Sequence, residues 1–383
     1  MTNPIFASLP TTIFTHMSAL AVQHNAINLG QGFPDEDGPL AIREVAAKAL
    51  IEGPNQYPPM RGRIELRNAI AAHAKRFYDL TFNPDTDIVV TSGATEALTA
   101  SIMGLVGQGG EVVLIEPAYD SYPPIAEAVG ATIRRVKLAA PDYRLREADL
   151  RAAFTKNTKA LIINTPLNPI GRVFNREELE TIARVVRDSE ANVIADEVYE
   201  HLVFDGRPQI PLMTLPGMRD RVVRVGSAGK MFSLTGWKIG WVVGSPKLID
   251  AVSKAHQFIT FTTAPGTQLA IAYALEKEID FTLGLTKTLQ GNRDVLSAGL
   301  AKLGFKVLPS EGTYFLTVDI SGLTNEPDLA FSERIVREAG VALIPLSPFF
   351  RDGKPDTLVR FAFCKKRAVI DEALARLSKH FGK

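Results

Sequence analysis

The pattern of hydrophobic and polar positions divides much of the chain into short apolar runs separated by amphipathic stretches. From about residue 87 the apolar runs are rich in β-branched residues and bounded by turn residues, which is typical of buried strands. The predicted strands are DIVVTS, EVVLIEP, ATIRRVKL, KALIINTP, NVIADE, RVVRVGS and KIGWVVGS. Helical periodicity appears between several of them, as in TEALTASIMGLV and REELETIARVVRD. This alternation predicts an α/β fold with a mostly parallel central sheet.

The pattern changes in the last third of the chain. Two long helical stretches, KLIDAVSKAHQFI and TKTLQGNRDVLSAGLAKLG, are followed by shorter elements. These are FKVLPSEGTYFLTVDIS, the helix FSERIVREAG, the strands VALIP and LVRFAF, and the final helix KRAVIDEALARLSKHF. We therefore predict a smaller α+β domain. We assign residues 45–280 to a large cofactor-binding domain, and residues 1–44 together with 281–383 to the small domain.

Composition narrows the class of protein. The 383 residues are 46% hydrophobic and 22% charged, with a formal net charge of +1, which argues against disorder and against electrostatic binding of nucleic acid. A small-molecule partner is expected instead. The single cysteine, Cys364, permits no intramolecular disulfide and is interpreted as an inert, buried side chain in a reducing compartment. The N-terminal segment has no basic start, and no apolar run approaches the ~18 residues that span a bilayer, so we expect a cytoplasmic protein without a membrane segment.

Several common site motifs are missing from the sequence. The six histidines are scattered, and none has metal-ligand spacing with another ligand in the sequence, so no metal site is predicted. GLVGQGG, at residues 104–110, fails the dinucleotide-binding spacing and precedes a strand. No GxSxG segment occurs. A nicotinamide-dependent dehydrogenase is therefore disfavoured.

Candidate site residues follow the predicted strands, where ligands bind in open α/β sheets. They are Gly93, Ala94 and Thr95; Asn164 and Asn168; Asp196 and Tyr199; and Ser227, Lys230 and Lys238. Small residues that open a helix present backbone amides to a phosphate, although they also suit a plain turn. An acid that ends an apolar strand needs a cationic partner or caps a helix. A lysine in a cavity has a lowered pKa and attacks carbonyls, although most lysines lie on surfaces. Together, the four features describe a site for pyridoxal 5′-phosphate.

In their order along the chain, these segments resemble the class I/II aminotransferases among the fold type I pyridoxal-phosphate enzymes. Within that family the resemblance is to the branch with kynurenine, glutamine and methionine aminotransferases. The matching segments are NLGQGFPDEDGP, QYPPMRGRIELRNAI, EPAYDSY, NTPLNPIG, ADEVYEHLVF, SAGKMFSLTGWKIGW, HQFITF, EGTYFL and LVRFAF. They cover nearly the whole chain and are far more specific for family and fold than for substrate. The resemblance implies ping-pong transfer of an amino group from an L-amino acid to a 2-oxo acid.

The resemblance also implies catalytic roles for individual residues. Lys230 would bind the cofactor covalently and then shuttle a proton, and Asp196 would pair with the protonated pyridine nitrogen. Asn168 and Tyr199 would donate hydrogen bonds to the phenolic oxygen of the cofactor. Tyr119 would stack on the face of its ring.

Further residues are implied to hold the phosphate and the substrate. The phosphate contacts would be Gly93, Ala94, Thr95, Ser227, Lys238 and, from a neighbouring subunit, Tyr57, so a homodimer with shared active sites is expected. The substrate carboxylate would be held by Arg360 in a bidentate pair, with Asn164 assisting and Gly32 leaving room. Two residues depart from many relatives: Lys238 stands where arginine is common, and Ile170 where threonine is common. Neither change is expected to disable the site.

The choice of substrate and reaction remains open at this stage. Tyr122, Phe261, Phe349 and Phe350 either line an apolar pocket for neutral, aromatic or methionine-like donors or belong to the core. Arg61 and Arg172 lie near the motifs and keep an acidic or succinylated donor open, as in a succinyldiaminopimelate-type transaminase. A cysteine-conjugate β-lyase would share the first chemical steps. A transcriptional regulator with an aminotransferase-like domain would need an added helix-turn-helix module, which the chain does not show.

Overall fold

The computed structural model describes residues 2–382 and contains three β-sheets with helices packed around them. The strands are β1 Ile27–Asn28, β2 Ile88–Thr91, β3 Glu111–Glu116, β4 Thr132–Lys137, β5 Thr158–Asn164, β6 Asn192–Asp196, β7 Val222–Ser227, β8 Gly240–Val243, β9 Lys306–Val307, β10 Phe315–Asp319, β11 Val341–Ala342, β12 Ile344–Pro345 and β13 Leu358–Ala362. All seven strands predicted before residue 250 are confirmed as β2 to β8.

The helices account for most of the remaining regular structure. The α-helices are α1 Pro4–Ala7, α2 Ile13–Gln23, α3 Leu40–Glu52, α4 Ile64–Tyr78, α5 Ala94–Leu105, α6 Tyr122–Ala128, α7 Glu147–Ala153, α8 Arg176–Arg187, α9 Ala228–Met231, α10 Pro246–Ile259, α11 Pro265–Lys277, α12 Ile279–Lys302, α13 Asp328–Ala339 and α14 Arg367–Phe381. Short 3₁₀ turns occupy Leu212–Thr214, Thr235–Trp237 and Ser347–Phe349. None of the helices described between residues 2 and 382 has the length and apolar character needed to span a bilayer.

Local sequence signals explain several helix boundaries. Helix α8 begins with a capping box, in which the Asn175 side chain accepts from the backbone N–H of Glu178 and the Glu178 carboxylate accepts from that of Asn175. Helix α12 begins at Ile279, seven residues before the predicted stretch. Its first two turns mix polar and apolar residues without a clear start signal, so the sequence pattern placed the start too late.

The seven predicted strands form one sheet with the order β2-β8-β7-β6-β5-β3-β4. Strands β7, β6, β5, β3 and β4 pair in parallel, and β8 runs antiparallel to both β7 and β2. Side chains of successive strand residues pack into two different hydrophobic clusters. Val113 and Val193 belong to one cluster, and Val112 and Ile194 belong to the other. Both faces are therefore covered, as in a parallel sheet between helical layers, and the α/β prediction is confirmed.

A second sheet, in the order β12-β13-β10-β9, lies in the C-terminal part of the chain, and its pairs are antiparallel. The N-terminal segment joins this part because β1 pairs in parallel with β11, with Ile27 opposite Val341. The contact agrees with a small domain built from both chain ends. The division at residues 44/45 and 280/281 stays a prediction.

The sheet topology brings several chain segments to one edge. Strands β5, β6 and β7 end at this edge with Asn164, Asp196 and Ser227. Strand β2 is parallel to β7 through the intervening antiparallel β8, so helix α5, which follows β2, begins at the same edge. The start of β8 lies there too. Residues separated by more than a hundred positions in sequence therefore surround one cavity.

Candidate active site

A cavity of about 260 Å³ opens at this edge of the central sheet. Thirteen of the fourteen predicted site residues line it: Gly32, Gly93, Ala94, Thr95, Tyr119, Asn164, Asn168, Asp196, Tyr199, Ser227, Lys230, Lys238 and Arg360. The exception is Tyr57. The predicted site residues that follow the strands of the large sheet therefore share one cavity with Arg360 of β13.

Lys230 lies in the short helix α9, immediately after β7. Its Nζ donates a hydrogen bond of 2.8 Å to the hydroxyl of Tyr314, and that hydroxyl donates in turn to the Gly32 carbonyl at 2.6 Å. Burial lowers the pKa of Lys230 to about 8, although the charge of Asp196 opposes the shift. The neutral, nucleophilic form of the amine is therefore about a tenth of the total at pH 7, far more than for an ordinary lysine.

Asp196 ends strand β6 as a buried carboxylate with two hydrogen-bond donors. The Tyr122 hydroxyl donates to its Oδ2 at 2.6 Å, and the Val198 amide donates to its Oδ1 at 3.3 Å. Burial raises the pKa of Asp196 to about 6, while these hydrogen bonds and the charge of Lys230 counteract the rise. A carboxylate held in this way favours a cationic partner in the cavity.

One end of the cavity suits an anion. Helix α5 begins at Ala94, so its first backbone amides and the positive end of its dipole lie at this end. Gly93 precedes it with a φ of 81°, and a Cβ at this position would lie 3.2 Å from the Lys238 Nζ. The glycine thus permits both the left-handed backbone and the close approach of an ammonium. Among the described residues Lys238 has no carboxylate partner within 4.0 Å, which leaves its charge available to a ligand.

Arg360 also lines the cavity, from the middle of β13. Its Nη1 donates to Asn168 Oδ1 and its Nη2 to the Gly30 carbonyl, both at 2.9 Å, while its Nε is buried without a partner. The guanidinium stacks on the Phe315 ring at 3.8 Å from the centroid. Two of its five N–H groups are used, so the remaining donors can meet a planar anion. Burial lowers its pKa to about 10, which leaves it charged at neutral pH.

The comparisons with known proteins agree with this geometry. The family model described as "Aminotransferase class I and II" matches residues 24–377. The chain belongs to the class I and II aminotransferases. It is similar to the N-succinyldiaminopimelate aminotransferase of Mycobacterium tuberculosis, with 44% identity, a TM-score of 0.97, and 99% and 100% of the two chains covered. It is likewise similar to an Escherichia coli methionine aminotransferase, with 40% identity, a TM-score of 0.96 and 99% of each chain covered.

More distant relatives include the kynurenine–oxoglutarate transaminase of Dictyostelium discoideum, 35% identical over 412 residues that cover 97% of this chain and 95% of the relative. The family, the fold type I architecture and the enzymatic class predicted from the sequence are thereby confirmed. The relatives act on chemically different donors, so they leave the substrate of this aminotransferase undecided.

Several residues considered for substrate binding lie elsewhere in this aminotransferase. Arg172 pairs with Glu178 at 2.9 Å, and Arg61 donates to the carbonyl of Thr86 at 2.9 Å; neither lines the cavity. Phe261 is 40% exposed and packs edge-on against Tyr57, with 5.5 Å between the ring centroids. These contacts place the four side chains outside the cavity as it stands in one chain.

Two further candidates for an apolar pocket belong to the buried interior. Phe349 and Phe350 are each 4% exposed and do not line the cavity, although Phe349 lies within 5.6 Å of the Arg360 guanidinium. Tyr122, the remaining candidate, is buried and bonded to Asp196. For these aromatic residues the core interpretation is the one that the contacts support.

The sequence did not predict several residues of the site. Phe14, Gln31 and Phe315 line the cavity. Tyr314 does not line it, but its hydroxyl accepts the hydrogen bond from Lys230. Tyr122 was predicted either to line an apolar pocket or to belong to the core, and its hydrogen bond to Asp196 was not predicted. The contacts of Tyr314 depend on packing between distant segments and gave no local signal.

The fold also brings together histidines that are scattered in the sequence. His73, Glu200 and His201 offer ligand atoms within 4.8 Å of one another, and the two Nε2 atoms lie 2.8 Å apart. Glu200 already pairs with buried Arg224 and accepts from the Tyr78 hydroxyl at 2.8 Å. The carboxylate is therefore committed to a buried ion pair, which suits a structural network.

Proposed function

We propose that this aminotransferase uses pyridoxal 5′-phosphate to move the amino group of a neutral L-amino acid to a 2-oxo acid by a ping-pong route. The observation that carries the proposal is the placement of the amine of Lys230 and the carboxylate of Asp196 in one cavity with an anion-binding end. Bound pyridoxal phosphate supplies an aldehyde and an electron-withdrawing ring.

The residues present fit that cofactor. The cofactor's phosphate fits the backbone amides of Ala94 and Thr95, with Ser227 and Lys238 as side-chain donors. Gly93 leaves room for it, since a Cβ at this position would occupy space next to the Lys238 ammonium. The start of helix α5 and the ammonium of Lys238 lie together at this end of the cavity, which supports the binding of a dianion there. The sequence-based assignment of these contacts remains a proposal.

The chain's own groups define the chemistry. Lys230 would hold the cofactor through its Nζ, whose pKa burial lowers to about 8. Its amine would also carry the proton between the donor's Cα and the carbon of the cofactor's aldehyde group. The Asp196 carboxylate would pair with the protonated ring nitrogen of the cofactor. Asn168 and Tyr199 would orient the ring by hydrogen bonds to its phenolic oxygen. Tyr119, which lines the cavity, would pack on the ring face.

The donor's carboxylate is assigned to Arg360, with Asn164 nearby and Gly32 leaving room. Asn164 is itself held by its Nδ2 contact to the Asp196 carbonyl at 2.8 Å. A Cβ at Gly32 would lie 2.5 Å from Phe315 Cζ, so a side chain there would displace the ring on which Arg360 stacks. Glycine at this position preserves the carboxylate site.

A neutral donor is favoured because the cavity cations already have assigned partners. Among the described residues, the cations that line the cavity are Lys230, Lys238 and Arg360, and both arginines considered for a distal carboxylate lie outside it. An additional acid group on the donor would have no partner within one chain. Methionine-like and aromatic amino acids are therefore the proposed donors, with a succinylated diamino acid as the alternative.

We further propose a homodimer in which Tyr57 reaches the phosphate of the neighbouring subunit. Tyr57 is 83% exposed and packs against Phe261, which is 40% exposed, and Phe258 in helix α10 is 84% exposed. Such exposure is unusual for apolar rings of a monomer and suits an interface.

A cytoplasmic location remains a proposal that rests on the single cysteine.

The test is a titration of the purified, cofactor-loaded protein with a panel of L-amino acids. The panel contains methionine, phenylalanine, kynurenine, aspartate, succinyldiaminopimelate and a β-substituted cysteine, and 2-oxo acid, pyruvate and ammonia are assayed together. We expect stoichiometric 2-oxo acid and no ammonia, with the neutral donors fastest. Pyruvate and ammonia from the cysteine derivative would identify a β-lyase instead, and preference for the succinylated donor would overturn the neutral-donor proposal.

A further inference from the structure

Next to the anion-binding end of the cavity lies a buried contact between His256 and Glu96. Glu96 occupies the first turn of helix α5, and His256 lies in helix α10 with no exposed surface. The His256 Nδ1 lies 2.5 Å from the Glu96 Oε1, and the His256 Nε2 lies 3.0 Å from the carbonyl oxygen of Met60. Neither residue lines the cavity itself.

The partners indicate the charge of this contact. A backbone carbonyl only accepts, so the His256 Nε2 must carry a proton. Glu96 also accepts from the Thr260 hydroxyl at 2.7 Å and from the Ser92 amide, which is the pattern of an ionised carboxylate. Burial raises the pKa of Glu96, but the hydrogen bonds from His256 and Thr260 outweigh burial and leave that pKa below its ordinary value. The geometry therefore describes an imidazolium paired with a carboxylate.

The position of Glu96 makes its charge important for the neighbouring anion site. Glu96 follows Thr95, whose amide belongs to the proposed phosphate contacts. An unpaired carboxylate at this point would repel a phosphate bound at the start of the same helix. When Glu96 is paired with His256, the main charges near a bound phosphate would be the positive end of helix α5 and the ammonium of Lys238.

The same imidazole also joins three chain segments around the anion site. It contacts the start of α5 through Glu96 and the loop before α4 through Met60, while Thr260 ties the end of α10 to the same carboxylate. The loop before α4 carries Tyr57, and the residue after Thr260 is Phe261, which packs against Tyr57. The contacts of His256 and Glu96 thus connect the start of α5, the loop that carries Tyr57 and the end of α10.

We propose that His256 is a positioning residue that neutralises Glu96 and thereby keeps the start of helix α5 able to bind the cofactor's phosphate. This inference rests on the proposed function, because it assumes that a phosphate occupies this end of the cavity. His256 does not line the cavity, so it would act through Glu96.

The test compares the binding of pyridoxal phosphate and of pyridoxal, which lacks the phosphate, to the cofactor-free His256→Gln variant at about pH 8. Glutamine can still donate to the Met60 carbonyl but leaves the Glu96 carboxylate without a cation. We expect pyridoxal phosphate to bind at least about tenfold more weakly than to the unmodified protein, with pyridoxal affinity unchanged. The matched control is His24→Gln, a change at an exposed histidine after helix α2.

A second variant gives the sign of the effect. In the double variant Glu96→Gln with His256→Gln no carboxylate remains, so most of the lost affinity for pyridoxal phosphate should return. A double variant as weak as the single one would overturn the proposal, as would an equal loss for both ligands or no loss at all. If His256→Gln does not fold, His256→Asn serves the same comparison, since it also removes the charge.

The outcomes separate this inference from the proposed function. If the unmodified protein binds pyridoxal and pyridoxal phosphate equally, no phosphate site exists and the proposed function fails first. If the unmodified protein prefers the phosphate form and His256→Gln keeps that preference in full, only the role of His256 is refuted.

Discussion

Replacing Tyr122 with phenylalanine removes one of the two hydrogen-bond donors to Asp196. The lost contact is the 2.6 Å bond from the Tyr122 hydroxyl to Asp196 Oδ2, and both residues are buried. A hydrogen bond to a charged group contributes about 1.5–3 kcal/mol, and about 1.4 kcal/mol corresponds to one pKa unit. The pKa of Asp196, which burial raises to about 6, should therefore rise by a further ~1–2 units in the free protein.

The expected consequence is loss of the ionised partner for the cofactor's ring nitrogen at neutral pH. In the loaded enzyme the same donor is missing, so the acid limb of kcat/KM against pH should move to higher pH. Activity near pH 7 should fall by about twofold to tenfold, with recovery at higher pH. The assay is steady-state transamination across a pH series with the best donor.

The matched control is Tyr143→Phe. The hydroxyl of Tyr143 is buried without a partner and lies away from the cavity, so its removal breaks no described hydrogen bond. An acid limb that stays in place in the Tyr122→Phe variant would refute the assignment of Tyr122 as a partner that keeps Asp196 ionised. A displacement of equal size in the control would refute it as well.

The remaining predictions concern Arg360, Asp196 and Lys238. Arg360→Lys keeps the positive charge but loses the planar guanidinium, so KM for the amino donor should rise by about tenfold to a hundredfold in steady-state kinetics. Cofactor affinity should stay unchanged. An unaltered KM would contradict the assignment of Arg360 to the donor's carboxylate. The raised pKa of Asp196 contributes to folding stability below pH ~4, and this contribution is lost as pH rises through about 6. At pH 8 the cofactor-free Asp196→Asn variant should therefore be more stable to urea than the unmodified protein, by up to about 3 kcal/mol. The variant loaded with cofactor should be nearly inactive. Equal stability of the two proteins across that pH window would contradict this. Lys238→Gln should weaken pyridoxal phosphate at least about tenfold but leave pyridoxal binding unchanged; equal effects on both would remove Lys238 from the phosphate site.

The strand succession was predictable because each segment carries its own signal. Seven short β-branched runs, bounded by turn residues, formed the seven strands of the large sheet. The sheet order and the antiparallel insertion of β8 between β2 and β7 were not predictable in this way, because they depend on contacts between segments far apart in sequence. The family resemblance supplied the fold where local patterns could not.

The same distinction separates the predicted site residues from those that were missed. Asp196 and Ser227 end strands and Lys230 follows one directly, so a rule about strand ends finds them. The bond between Lys230 and Tyr314 spans 84 positions and joins the two parts of the chain. Arg61 illustrates the opposite error, since proximity to a motif in sequence did not bring it into the cavity.

The most direct test of the central claim is chemical trapping of the cofactor on the protein. The loaded protein is reduced with borohydride, digested and mapped by mass spectrometry, with the Lys230→Ala variant treated in parallel. We expect the phosphopyridoxyl group on Lys230 in the unmodified protein, and no stoichiometric label together with lost transamination in the variant. Stoichiometric label on another lysine, such as Lys238, or normal turnover by Lys230→Ala would contradict the assignment of Lys230 as the residue that binds the cofactor and moves the proton.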